Sequence, residues 1–267
     1  MRRSLWQCVT QLIARLFPAS YPWPAMDIQL GDRRLHLVGS IHMGTRDMQP
    51  LPARLLRQLA KADALIVEAD ITQGGSPFAD SDELPSLAER LDSATFSRLN
   101  SLCDELTLSI AMFDHLPLWQ IALMLQAQQA QRLGLRPQYG IDYQLLQAAK
   151  NVNKPVIELE GPDTQIALLK SLPDDGLPLL LDTLEHWHTN ARLLQTMISW
   201  WLDAPPKRQP VALPTTFSNE LNDTLMRNRN QHWRELMLAL PPGRYVVAVG
   251  ALHLYGDDNL PGLLKAR

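Results

Sequence analysis

The sequence predicts an α/β fold: a mixed or mostly parallel central sheet flanked by helices, with a large helical insertion, in one domain over 1–267. Three observations predict it. Strand signals stand at 34–38, with Leu35 and Leu37 inside, at 64–67, at 155–157 and at 245–249, and the run 64–67 is of the kind that fills a buried parallel strand. Between them the apolar spacing follows a helical period, so strand, helix and strand alternate. No low-complexity stretch or linker interrupts the order.

The elements follow along the chain. Arg2 and Arg3 open a partly apolar run interrupted by Gln7, Gln11 and Arg15, unlike a secretory signal. Leu5, Val9, Leu12, Ile13 and Leu16 recur at helical spacing, so an amphipathic helix is expected, packed on the body or lying on a membrane surface. The strand at 34–38 runs into Gly39-Ser40-Ile41-His42, and a helix is expected over 52–62. The strand at 64–67 ends at Glu68-Ala69-Asp70. Residues 84–131 read as helical with a break near Pro117, and Gly140-Ile141-Asp142 opens a helix through Ala149. The strand at 155–157 ends at Glu158-Leu159-Glu160-Gly161. Helix is expected over 164–202, a proline-marked loop at 205–214, and helix again over 219–240. The last strand, 245–249, runs into Gly250-Ala251-Leu252-His253.

Composition narrows the function classes. With 46% apolar and 20% charged residues the chain has an ordinary globular balance, and 267 residues can bury a substantial core. A net charge of -3 without a basic run argues against nucleic acid as a partner. No stretch is long and apolar enough for a transmembrane segment. Cys8 and Cys103 make neither a disulfide framework nor a metal-spaced pair, which fits a reducing, cytoplasmic compartment; a periplasmic or membrane-associated one stays open. Each cysteine is read as a small apolar residue.

One internal echo carries chemistry. Val38-Gly39-Ser40-Ile41-His42-Met43 and Val249-Gly250-Ala251-Leu252-His253-Leu254 share apolar strand, glycine, small residue, aliphatic residue, histidine. Chance predicts roughly a third of one such Gly-x-x-His in a chain of this composition. The carboxyl ends of parallel strands face the crevice where α/β sheets bind ligands. Glycine there permits a tight turn and close backbone approach. Imidazole is a common metal ligand and can act as acid or base. Two such ends on neighbouring strands would put two imidazoles on one ligand. The plainer alternative is a pair of turn histidines capping helices.

Carboxylates stand at similar places. Glu68 follows one strand and Glu160 lies just beyond another, where they can ligate a divalent ion or activate water; alone, each would be a solvated loop charge. Asp70, two residues beyond Glu68, could share its face. Asp142 precedes a helical run and fits an N-cap. Arg229, sharing a helix face with His232, could hold a carboxylate or a developing oxyanion; a solvated helix face accounts equally for Arg227 and Arg229. His186 and His188 point to different sides of a helix, His36 lies within a strand, and His115 is isolated. Trp187, Trp200 and Trp201 fit core or groove lining better than a cofactor box.

Taken together, Gly39-Ser40-Ile41-His42, Ile66-Val67-Glu68, Gly140-Ile141-Asp142, Lys154-Pro155-Val156-Ile157-Glu158-Leu159-Glu160, Arg229-Asn230 and Gly250-Ala251-Leu252-His253 resemble the TraB/GumN family over nearly the whole chain. That family is similar to the Tiki metalloproteases. The resemblance implies a metal-dependent hydrolase of peptide or amide bonds whose site uses both Gly-x-x-His histidines and the first strand-end glutamate. On this expectation His42, His253 and Glu68 hold a divalent ion (zinc, manganese, cobalt or iron), Glu160 or Asp142 helps to place water, and Arg229 stabilises transition-state charge on a peptide or small-molecule substrate. The alternative is a module that binds a metal, haem or peptide in the same crevice without turnover.

Overall fold

The computed structural model describes residues 23–72, 84–206, 211–256 and 258–266. The amphipathic helix expected near the N-terminus, and Cys8 with it, lie outside these residues. At the centre is a mixed five-stranded sheet ordered β1-β2-β5-β3-β4, made of β1 (Ala25–Leu30), β2 (Arg33–Ser40), β3 (Ala64–Val67), β4 (Val156–Glu158) and β5 (Gly243–Gly250). β1 pairs antiparallel with β2, while β2, β5, β3 and β4 run parallel. Burial explains which strands the sequence displays. All four residues of β3 and the run 245–249 in β5 are buried, because helices cover both faces of the central strands. The four parallel strands were expected from the sequence, but β4 is not a buried one: none of its three residues is buried, because it lies at the sheet's edge. β1 was not expected: only Ile28 of its six residues is buried, so it carries no continuous apolar signal. A turn at Gly31, with φ +58, joins it to β2.

Helix α1 (Ala53–Lys61) carries the chain from β2 to β3. Between β3 and β4 stand α2 (Leu87–Arg90), α3 (Ser93–Leu106), α4 (Leu118–Arg132) and α5 (Ile141–Asn151). The expected break at Pro117 is the N-cap of α4. Between β4 and β5 the helix expected over 164–202 is three: α6 (Pro162–Lys170), α7 (Leu177–Glu185) and α8 (Trp187–Leu202). Gly176 forces the first interruption. Its φ is +87, and a Cβ there would stand 2.5 Å from the Trp119 Cβ. The helix expected over 219–240 is likewise divided, into α9 (Asn219–Asn222), a π-helical turn (Asp223–Arg227) and α10 (Asn228–Ala239). α11 (Ala251–Tyr255) and α12 (Leu260–Lys265) close the chain.

Buried apolar residues fall into two clusters. One joins the sheet to α1, α5, α8, α10, α11 and α12, with Trp200, Trp201 and Trp233 in it. The other is all-helical and centres on α3, α4 and α7. The tryptophans at 187, 200 and 201 are thus core residues, and Cys103 is a buried one whose thiol burial pushes up to about 11. Among the described residues no helix is long and apolar enough to cross a membrane.

Candidate active site

The parallel strands all present their carboxyl ends on one side of the sheet, in the order β2, β5, β3, β4. His42, His253, Glu68 and Glu160 come just after these four ends, so residues 211 positions apart in sequence meet on adjacent strands, with Ser40 registered against Gly250. The two Gly-x-x-His segments then diverge. Ile41 and His42 continue into a loop, whereas Ala251 to Tyr255 turn at once into α11, so His253 sits in its first turn. Neither glycine has a positive φ. Gly39 is required for close approach instead: a Cβ there would lie 3.3 Å from Ala251.

His253 is 4% exposed. Its Nδ1 lies 2.7 Å from Asn230 Oδ1. The Asn230 amide nitrogen donates to the Asp258 carbonyl at 3.0 Å, and a carbonyl can only accept. The amide is therefore oriented with its oxygen toward the imidazole, Nδ1 must carry the proton, and Nε2 keeps its lone pair. Burial drives this ring to the neutral form and lowers its pKa to about 3.

His42 has the opposite surroundings. Its side chain is 67% exposed, and Nδ1 lies 2.7 Å from Asp142 Oδ2. The Asp142 charge, with its hydrogen bond, raises the imidazole to about 9, although solvent screens so exposed a pair. Asp142 is not the N-cap expected for it: Gly140 caps α5, and Asp142 lies in the first turn with its carboxylate on His42. Gly140 is there because a Cβ would stand 2.2 Å from the His42 carbonyl oxygen. The Ile141 amide donates to the Ile41 carbonyl at 2.9 Å, which fixes Asp142 beside the loop.

Between these histidines lies a buried ion-pair network around Arg229. Its Nε donates to Glu160 Oε1 at 2.8 Å, and one terminal nitrogen donates to Glu68 Oε2 at 2.6 Å and Glu160 Oε2 at 2.8 Å. The other terminal nitrogen reaches the Leu225 carbonyl at 3.2 Å and His253 Nε2 at 3.3 Å. All five guanidinium N–H groups are thereby engaged. Glu68 Oε1 accepts the Gly250 amide at 2.6 Å, and Glu160 Oε1 accepts the Trp233 indole N–H at 3.0 Å. The Trp233 ring also lies 4.7 Å under the guanidinium. Burial alone would raise the Glu68 carboxyl; the neighbouring His253, Arg229 and His42 and the Gly250 amide outweigh it and hold the group at about 2.

The candidates thus converge in part. His42, Glu68, His253 and Arg229 lie close enough to act on one another's ionisation. Glu160 is an anchor for Arg229 rather than a free base, since both of its oxygens are bound. His232 is exposed and does not share the inward face of Arg229; the true helix neighbours are Leu225 and Trp233, four residues either side. Arg227 does lie on a solvated face, paired with Asp223 and Asp258. Asp70 accepts from the Thr72 backbone and hydroxyl. Among the described residues no three His, Cys, Asp or Glu side chains are grouped as a metal site. Two members of the site were not singled out in the sequence, Trp233 and Gln165, whose amide lies 3.4 Å from both Glu68 and Glu160, and Asn230 was quoted only as part of the Arg229-Asn230 motif, without a role. Asn230 next to Arg229, and Trp233 one helical turn on, were the available signals.

No solved structure matches. The chain is 58% identical over 258 residues to a protein of Escherichia coli (strain K12) described as "Uncharacterized protein YbaP", covering 96% of this chain and 98% of that one. It is equally similar, over the same shares, to a protein of Shigella flexneri with the same description. The model of the TraB/PrgY/gumN family matches residues 25–267, a span holding every strand among the described residues and every side chain of the site, and the chain belongs to that family.

Proposed function

We propose that this protein is a hydrolase of peptide or related amide bonds, using a divalent ion held by His42, His253 and Glu68. One observation carries the reading. Two histidines at adjacent strand ends each engage Nδ1 with an oxygen acceptor, Asp142 or Asn230, which directs Nε2 away from that acceptor as metal-bound histidines require. Glu68, held ionised beside them, supplies the anionic donor. The donor chemistry therefore fits an ion. Among the described residues the three side chains are not grouped as a metal site as they stand. Holding an ion would require them to draw together, the Arg229 nitrogen 3.3 Å from His253 Nε2 to give way, and Glu68 to loosen its bonds to Arg229 or the Gly250 amide. When bound, the ion would supply Lewis-acid polarisation and a water acidic enough to ionise near neutral pH.

The chain's own residues have separable tasks. Asp142 and Asn230 orient the imidazoles. Glu160 and Trp233 hold the guanidinium in place. Arg229, once released from His253, has an N–H free for the oxygen that gains charge in the transition state. Binding without turnover is the second reading, and the saturated guanidinium favours it, because every donor at the centre is already engaged. Metal analysis of purified protein combined with a peptide-library assay separates the two. The expected result is about one divalent ion per chain, chelator-sensitive cleavage, and loss of both in Glu68→Gln, which keeps shape and removes charge. Cleavage at the parent rate by folded Glu68→Gln, with metal content unchanged, would sink the metallohydrolase reading.

A further inference from the structure

A cavity of about 490 Å³ opens at the other end of the sheet from the strand ends that carry His42 and His253. Its polar wall includes Arg34 of β2, Arg244 of β5, Lys61 of α1, Gln29, Gln58 and His36. Arg34 and Ser40 are six residues apart in one strand, so the cavity lies roughly 20 Å from the candidate active site.

Arg34 and Arg244 are registered partners on adjacent parallel strands. Their side chains therefore leave the sheet on the same face, about 4.8 Å apart at the backbone. Like charges placed side by side on a sheet are destabilising. Lys61, from the last turn of α1, adds a third cation. Among the described residues none of the three has an ion-pair partner. The neighbouring acids are turned elsewhere. Asp27 is 2.7 Å from His36 Nδ1, and Asp63 accepts the Arg244 backbone amide at 2.8 Å. A chain of net charge -3 thus concentrates three uncompensated cations, from three elements, around one cavity.

We propose that this cavity binds the phosphoryl group of a small phosphorylated molecule. Guanidinium forks match phosphoryl oxygens two at a time, and two forks in register present a paired surface to one such group. A phosphate monoester carries about 1.5 to 2 negative charges near neutral pH, a charge that three neighbouring cations can offset. Gln29 and Gln58 also line the cavity, together with Asp27, His36 and apolar side chains, Ile28 and Leu35 among them, and the volume lies within the usual range for small-ligand sites. The site is independent of the hydrolase reading and stands if that reading fails.

The test uses the full chain in solutions of matched ionic strength, with inorganic phosphate and pyrophosphate as soluble probes. Vesicles of phosphatidylcholine with and without phosphatidic acid ask whether the phosphoryl group belongs to a lipid headgroup. Pyrophosphate is expected to raise the melting temperature beyond the chloride control. Arg34→Gln and Arg244→Gln should each weaken pyrophosphate binding by roughly tenfold or more. Ligand-free Arg34→Gln should melt no lower than the parent, because the like-charge pair is relieved. Lys61→Gln, on an exposed helix end, serves as a further variant if the arginine changes impair folding. Binding only to phosphatidic acid vesicles, lost in the same variants, would assign the headgroup as source. Equal shifts with chloride and pyrophosphate and no vesicle binding, or variants that bind like the parent, would overturn the proposal.

Discussion

The two Gly-x-x-His strand ends begin from one sequence pattern and arrive at opposite electrostatic states. At the β2 end, His42 projects from a loop with two-thirds of its side chain exposed, paired with a carboxylate that favours its protonated form. At the β5 end, His253 is enclosed in a first helical turn, paired with an amide and held neutral by burial. The difference teaches that the motif sets where the imidazole emerges, while the next element sets its chemistry. A loop leaves the ring to solvent; a helix pulls it under α10 and against the Trp233 ring, whose centroid lies 4.5 Å away. The β5 end is tied to the buried ions around Arg229, and the β2 end is not bonded to them.

The largest effect expected from this contrast is on stability. Arg229→Met would leave Glu68 and Glu160, both nearly buried, without their counter-ion. Breaking a buried pair by removing one partner costs about 3–5 kcal/mol. Urea denaturation of the variant should show that loss, while Asp142→Asn, which keeps a hydrogen-bonding partner for the exposed His42 ring, should lose less than about 1 kcal/mol. Equal losses at the two sites would erase the distinction between a buried end and an open one.

Turnover should respond differently. If both rings serve one ion, His42→Ala and His253→Ala should each reduce hydrolysis by at least about 100-fold, or about 2.7 kcal/mol of barrier. Their stabilities should part. His253→Ala leaves Asn230 Oδ1 and an Arg229 N–H without partners and should cost roughly 1–3 kcal/mol. His42→Ala removes a ring two-thirds exposed but leaves the buried Asp142 carboxylate without its partner, so it should cost about 1 kcal/mol, at the low end of that range. Melting and rate measured on the same preparations check this. A folded variant that turns over at the parent rate removes that histidine from the reaction.

Asn230 sharpens the contrast a little further. Replacing it with Leu removes the acceptor that fixes the His253 tautomer, and loss of such an orienting partner costs about 10–100-fold in metal affinity or activity. Nitrogen-15 spectra of His253 should then lose the Nδ1–H tautomer; its persistence in Asn230→Leu would show that another group sets it.

Burial decides how much of this was legible. β3 and the buried run of β5 stood out because both faces of each strand are covered, which makes every residue apolar. Edge strand β1 was invisible because alternation on a half-exposed edge needs more than six residues to show. His42, His253, Glu68 and Glu160 were readable as strand-end residues, since strand direction alone brings four such ends to one side. The division of labour among them was not. A spacing of two on a helix already sends Arg227 and Arg229 to opposite sides. Which of them points inward was not legible; it is set by the buried Glu68 and Glu160 that pair with Arg229, while Asp223 and Asp258 hold Arg227 at the surface. That Asp142 binds His42 rather than capping α5 depends on Gly140 packing against the His42 carbonyl, a contact 98 residues distant along the chain.

The smallest effect is the one most specific to the comparison, because the two histidines should tilt stability against pH in opposite directions. An unfolded histidine titrates near 6.5. His42 in the folded protein titrates near 9, so the native state holds a proton that the unfolded chain releases between these values. Its contribution is full below about 6.5 and is lost as pH rises through 9. His253 titrates near 3 when folded, so between 3 and 6.5 the unfolded chain binds the extra proton. Its contribution is full above about 6.5 and is lost as pH falls. Glu68, lowered to about 2, adds a loss in the same acid direction, but it begins only near its unfolded value of about 4.5. In chelator-treated protein, His42→Gln should therefore flatten the alkaline limb of the stability curve and His253→Gln the acid limb above pH 4.5. The alkaline change should be the smaller of the two, because solvent reaches the His42 imidazole and screens its attraction to the buried Asp142. Denaturation midpoints measured from pH 4 to 9.5 decide it: an alkaline limb unchanged in His42→Gln would mean that Asp142 does not hold a proton on that ring, and the two strand ends would then differ in exposure alone.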